Sequence, residues 1–243
     1  MELSGCPFPD DARYDAENDV WVRAVERSSQ VRLGITSALS SFVGRVLSLR
    51  PRTSSGGVTA GVSLATIETV RFTGPLRTPV PARSWRANPE AVRRPRLLND
   101  APYGEGWAIE LDGVERTDLE RLPRGEAARA ALLARVAELR VRCEGPVPDV
   151  EVIELGSECS AVLARLDTEL TLRAPGDIVR LVSDDPTSPI EMVRWADRTG
   201  HAVLGHYSDG PIHRFVVRRE ARPEPKVRSA ATGRVGDATT ASR

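Results

Sequence analysis

Apolar and polar residues follow two different rhythms along this chain. In the first part, short β-type runs alternate with glycine and proline. Val20-Trp21-Val22-Arg23-Ala24-Val25 and Val31-Arg32-Leu33-Gly34-Ile35 predict strands. Gly56-Gly57 and Thr73-Gly74-Pro75 predict turns. Strand signals at close spacing over residues 12–112 predict a β-sandwich or flattened barrel. From Ser37 to Leu47 the pattern fits a short helix or an irregular crossing.

The rhythm changes over residues 125–142. Gly125 to Arg140 is rich in alanine, leucine and other strong helix formers. Leu132, Val136 and Leu139 recur at helical spacing and predict one stripe packed back on the β unit. Cys143-Glu144-Gly145-Pro146-Val147-Pro148 breaks the helix and predicts a linker. A second unit follows, with strand Val150–Leu155, helix Ala161–Leu172, strand Ile178–Ser183, helix Pro189–Thr199, strand Ala202–Tyr207 and strand Ile212–Arg218. Strands alternating with helices predict a two-layer βαβαββ domain. The expected class is therefore α+β: a β-sandwich unit at 5–142 with a following helix, a second domain at 149–220, and a tail. That tail, 221–243, carries few large apolar residues and is expected to be disordered.

Composition narrows the function. The formal net charge is zero, so no global field draws in nucleic acid or an anionic membrane. No stretch approaches the ~18 apolar residues of a membrane span. The opening Met1-Glu2-Leu3-Ser4-Gly5-Cys6 lacks the basic and apolar regions of a secretion signal. Cys6, Cys143 and Cys159 are too few and too scattered to suggest a disulfide framework or a zinc site. A cytoplasmic protein with reduced thiols is expected. The chain shows no metal-ligand cluster, phosphate-binding glycine loop or Ser/His/Asp set, and no cofactor is expected. His201 follows Gly200 at a helix end, where it would cap carbonyls or meet the helix dipole. His206 and His213 read as strand-face residues, and Asp184 and Asp185 as turn formers ahead of Pro186.

One set of segments carries a specific resemblance. In order these are Tyr14 with Val20-Trp21-Val22, Arg32-Leu33-Gly34-Ile35-Thr36, Gly61 with Ala65, Ile67-Glu68-Thr69-Val70, and the run from Leu98 through Asn99-Asp100-Ala101-Pro102-Tyr103 to Trp107. They resemble the glycine cleavage H protein, a lipoyl carrier of the biotinyl/lipoyl fold. The resemblance implies that residues 66–71 form the hairpin whose tip bears the lipoyl-lysine. Here that position is Arg71. The one lysine, Lys226, lies in the polar tail. Arginine cannot take an amide-linked arm, because its guanidinium stays protonated and is a poor nucleophile. Arg71 is then a solvated loop residue or a docking charge toward lipoyl-handling enzymes. The family's histidine before the Trp strand is also absent from Asn18-Asp19-Val20.

A second resemblance covers residues 150–219. Ala174-Pro175-Gly176-Asp177, Ser183-Asp184-Asp185-Pro186, Trp195, Gly200-His201, Asp209-Gly210 and Phe215-Val216-Val217-Arg218 resemble the TusA-like sulfur carriers. Those proteins carry persulfide sulfur on one cysteine, and Cys159 takes that position. A thiol at a helix start gains from free N–H groups and the dipole, and Ser160 is a candidate N-cap. The family's Cys-Pro-x-Pro is replaced by Cys159-Ser160-Ala161-Val162, and Glu158 would oppose thiolate formation. Persulfide carriage, a structural cysteine and a redox-sensing thiol all remain open for Cys159. Cys143 reads as a spacer, with a resolving thiol as the other option.

Two functions follow from these resemblances. One is a sulfurtransferase-type carrier, with Cys159 exchanging sulfur with a protein donor and acceptor while the H-like unit docks. The other is a non-catalytic scaffold or regulator that binds lipoyl-handling enzymes of the glycine cleavage type.

Overall fold

The structure is a computed structural model that describes residues 1–26, 28–53 and 56–221. The expectation of a disordered tail falls, from residue 222 on, outside the described residues. Short strands β1 (Glu2–Leu3) and β2 (Cys6–Pro7) open the chain, followed by β3 (Arg13–Asp15), β4 (Val20–Ala24) and β5 (Gln30–Ile35). Helix α1 (Ser37–Val43) comes next, so the segment left open between helix and crossing is a helix. Thr36 caps it, its hydroxyl accepting from the Leu39 N–H. Then follow β6 (Val46–Pro51), β7 (Ser63–Thr69), β8 (Thr73–Arg77), β9 (Ser84–Ala87), the short helices α2 (Pro89–Arg93) and α3 (Leu97–Asp100), β10 (Ile109–Asp112), α4 (Arg116–Glu120) and α5 (Glu126–Leu139).

Two sheets form the N-terminal sandwich. One runs in the order β3-β4-β5-β10-β9 and the other β6-β7-β8. Between them lies a buried cluster that includes Val22, Leu33, Ile35, Leu64, Ile67, Leu76 and Ile109. Inward-facing apolar residues at every second strand position fill it. Thr73-Gly74-Pro75 departs from expectation, because these residues lie within β8 rather than in a turn. β8 is an edge strand, where proline's missing N–H costs no ladder bond. A Cβ on Gly74 would run into the Phe72 ring, so this glycine makes room for a packed side chain.

α5 closes the other side of the five-stranded sheet. Ala128, Leu132 and Val136 are buried in a second cluster with Leu3, Phe8, Tyr14, Trp21 and Ala38, and Leu139 packs at its edge. The predicted stripe is therefore the packing face. Beneath it Arg135 grips Asp19, with Nη2 2.6 Å and Nε 3.0 Å from the carboxylate. Asp19 is buried and sits at positive φ (55°) in the β3–β4 turn. Burial pushes the Asp19 carboxyl up, and the Arg135 hydrogen bond opposes that.

The reduced-thiol expectation is overturned, since Cys6 and Cys143 form a disulfide across 137 residues of sequence. Cys143 is thus a cross-link partner and not a spacer. The β1–β2 turn docks on the chain leaving α5, where the Cys143 N–H donates to Ser4 O at 3.0 Å. Gly5 fits there because a Cβ would lie 2.6 Å from Cys143 O. Such a distant pairing leaves no local trace in the sequence.

The C-terminal unit comprises β11 (Val150–Glu154), α6 (Cys159–Thr171), β12 (Ile178–Ser183), α7 (Ser188–Thr199), β13 (Ala202–Asp209) and β14 (Ile212–Arg218). Its sheet order is β11-β12-β14-β13, with β11 and β12 parallel and the other pairs antiparallel. α6 and α7 cover one face through Val162, Leu166, Leu170, Met192 and Trp195. At the junction the Asp149 carboxylate, 2% exposed, meets Arg45 at 2.7 Å and Arg96 at 2.6 Å. It also accepts the Ile178 N–H at 2.6 Å, which ties the start of β12 to the first unit. Among the described residues, no helix is long and apolar enough to cross a membrane.

Candidate functional site

Cys159 is the first residue of α6, directly after the N-cap Glu158. Ser160 therefore lies inside the first turn and is not the cap, and Glu158 makes no side-chain capping bond. The residue is partly exposed and is the free cysteine of the structure. Helix α7 begins alongside, at Ser188. Burial pushes the Cys159 thiol up, and the Asp185 carboxylate adds to this, while the Thr187 and Ser188 hydroxyls pull the other way. Those hydroxyls are committed elsewhere. Thr187 Oγ1 donates to Asp185 at 2.6 Å, and Ser188 Oγ to Ser183 at 3.1 Å. The opposing carboxylate is thus Asp185 first, with Glu191 behind it, rather than the sequence neighbour Glu158.

Asp185 organises this end of the unit. It accepts the Thr187 N–H at 2.7 Å and lies close to the start of α6 at Cys159. Its neighbour Asp184 accepts from Gly156 N at 2.8 Å and so holds the loop before α6. Both are turn formers, as expected. They also join the β12 end to the cysteine, which sequence spacing does not reveal.

His213, the second residue of β14, pairs with Ser183, the last residue of β12, and stands within electrostatic reach of Asp185. It meets His206 across the β13–β14 hairpin, ring nitrogens 3.1 Å apart. Both are strand-face residues, as expected, and the hairpin register adds their pairing. His201 departs from its expected role, since its Nδ1 accepts the Glu220 N–H at 3.1 Å rather than capping a carbonyl. Among the described residues, no group of three His, Cys, Asp or Glu side chains is arranged to hold a metal ion.

The lipoyl-type hairpin is β7–β8, with Val70 and Arg71 exposed at its tip. Thr69 Oγ1 accepts the backbone N–H of Arg71 at 3.2 Å and of Phe72 at 3.0 Å, which shapes the turn. The Arg71 guanidinium lies beside Gly44, the C-cap of α1, where a cation complements the helix dipole. Asn99 secures that helix end, donating to Gly44 O at 3.0 Å and accepting Val46 N at 2.8 Å. A lipoyl group does not fit this tip, because amide attachment needs a primary amine and the tip offers a guanidinium.

The run Leu98–Trp107 is a structural lock. Asn88 Nδ2 donates to Glu105 O at 2.9 Å and to Trp107 O at 2.8 Å. Gly106 is forced by a close approach, since a Cβ would lie 2.7 Å from Ala101 O. Beside it opens a cleft of about 920 Å³, lined in part by Trp21, Arg23, Arg32, Arg94, Tyr103 and Trp107. The Arg32 guanidinium stacks 4.6 Å from the Trp107 ring.

Comparison with known proteins places these features in a family. The glycine cleavage H-protein family matches residues 12–134. Glycine cleavage system H protein 3 of Aquifex aeolicus is 32% identical over 146 residues, spanning 58% of this chain and 90% of that protein. A probable glycine cleavage system H protein 2 of Saccharolobus solfataricus is 28% identical over 143 residues, spanning 58% and 96%. A crystal structure of a glycine cleavage system H protein from Mycobacterium marinum aligns with 26% identity and a TM-score of 0.39, covering 43% of this chain and 85% of that one. The family match ends before the linker, and the unit from Val150 on lies outside it. With its sandwich, its β7–β8 hairpin and its Leu98–Trp107 lock, the chain belongs to the glycine cleavage H-protein family.

Proposed function

We propose that this protein is a sulfur-transfer module in which Cys159 carries persulfide sulfur and the H-protein domain docks lipoyl-handling partners without being lipoylated. The observation that carries this reading is the placement of Cys159 at N1 of α6, partly exposed and beside the start of α7. The resemblance of residues 150–219 to TusA-like carriers supports it. In the transfer step, the Cys159 thiolate attacks the outer sulfur of a donor persulfide. The donor S–S bond breaks, the donor thiolate leaves and takes up a proton, and a persulfide forms on Cys159 with no net redox change.

The fold separates docking from chemistry. The docking unit and the carrier unit are different parts of the chain, residues 12–134 and 150–218. Fusing a docking unit to a carrier raises their effective concentration at a shared partner.

A second reading has its own support. The thiol is pushed up rather than down, and the tip carries Arg71. A non-catalytic scaffold or regulator of glycine cleavage-type enzymes fits both.

The test is incubation of the intact protein with a cysteine desulfurase and cysteine, followed by intact mass and peptide mapping. The carrier reading expects added sulfur on Cys159 and none in Cys159→Ala. Protein left unmodified by several donors overturns the carrier reading and favours the scaffold.

A further inference from the structure

The β13–β14 hairpin brings His206, Ser208 and His213 to one face of the sheet, next to the starts of α6 and α7. His206 Nε2 and His213 Nδ1 are 3.1 Å apart. Ser208 Oγ lies 3.3 Å from the first and 3.2 Å from the second. The three donor atoms thus form a nearly equilateral triangle, which is the shape of one face of a coordination polyhedron. With metal–nitrogen distances of about 2.0–2.1 Å, the two nitrogens would subtend roughly 95–102° at a shared ion. That range lies between octahedral and tetrahedral angles, so the separation of the two nitrogens suits a chelating pair.

We propose that His206, His213 and Ser208 form a binding site for a borderline divalent transition-metal ion such as Zn²⁺, with its remaining coordination positions open to solvent.

Imidazole is a favoured ligand for such ions, and a hydroxyl or water can complete the set. The ring of His206 is held in place by stacking on Phe215, with centroids 4.5 Å apart and planes within 9°. Asp185 lies within electrostatic reach of His213 and adds negative charge that favours a dication. The site makes no use of the Cys159 sulfur, so it stands independently of the persulfide reading.

The test uses the untagged full chain, stripped of metal and titrated with Zn²⁺. Three histidines give three sets of imidazole proton resonances, assigned by His→Asn substitution. The proposal expects the His206 and His213 signals to shift together and saturate while His201 stays put. His206→Asn and His213→Asn should each weaken binding by at least the ~10–100-fold typical of losing an outer-shell partner. The wild-type titration decides the matter even if a variant folds poorly. Unmoved His206 and His213 signals at saturating Zn²⁺, or affinity retained in both variants, would overturn the proposal.

Discussion

Asp185 accepts the Thr187 N–H at the start of α7 at 2.7 Å and is also the carboxylate that does most to keep the Cys159 thiol protonated. A single side chain thus shapes the turn into α7 and opposes the anion that the start of α6 would favour. The thiolate of Cys159 should therefore appear at higher pH than that of a free cysteine. Alkylation of the native protein with iodoacetamide, followed across pH, should give a midpoint above the ordinary thiol value. Asp185→Asn removes the negative charge and should shift that midpoint down. An unchanged midpoint in the variant means that burial alone sets the thiol.

The hairpin tip makes a gain-of-function prediction. Arg71 is exposed and its turn is shaped by Thr69, not by its own side chain. Arg71→Lys should accept lipoate from a lipoate–protein ligase, visible as a mass increase mapped to the hairpin. The parent protein should stay unmodified. If the variant also stays unmodified, recognition has been lost elsewhere on the tip.

The junction depends on Asp149, which joins Arg45 and Arg96 of the first unit to the Ile178 N–H of the second. Asp149→Ala leaves two guanidinium groups and a backbone N–H without this acceptor. About 2–3 kcal/mol of stability should be lost from the C-terminal unit. Limited proteolysis should cut the 143–148 segment faster than in the parent. Equal cutting rates would show that other contacts hold the units together.

Arg135 pairs with a buried carboxylate on another element. Arg135→Ala leaves Asp19 uncompensated and should cost about 3 kcal/mol in chemical denaturation. The double variant Arg135→Ala with Asp19→Asn should recover part of that loss, because the buried charge is then gone.

Reduction should loosen the N-terminal unit. The Cys6–Cys143 link closes a long loop and restrains the unfolded chain, a contribution typically of about 2–5 kcal/mol. A thiol reductant, or Cys6→Ser, should lower the melting temperature by several degrees. Mass spectrometry of alkylated, unreduced protein should find one modifiable cysteine, Cys159.

Several elements are legible without coordinates because their causes are local. The stripe Leu132, Val136 and Leu139 announces a packed helix, and Ile178–Ser183 and Ile212–Arg218 carry continuous strand character. Thr73-Gly74-Pro75 misleads because glycine and proline signal turns only on average. Here Gly74 yields space to Phe72, and Pro75 sits on an edge. The His206–His213 pair was partly within reach. A tight turn at Gly210 and Pro211 places both on one face once the register Ser208↔His213 is known.

The chain's own order of residues determines the H-protein family, the absence of an amine at the hairpin tip, and the start of a helix at or near Cys159. Each depends on neighbours a few positions apart, where propensity and covalent chemistry decide. Folding alone decided the Cys6–Cys143 bond, the Arg45–Asp149–Arg96 junction, and the choice of Asp185 over Glu158 as the charge acting on the thiol. Those depend on arrangement in space between residues far apart in the chain, since Coulomb and hydrogen-bond energies follow spatial distance, orientation and surrounding medium rather than separation in sequence.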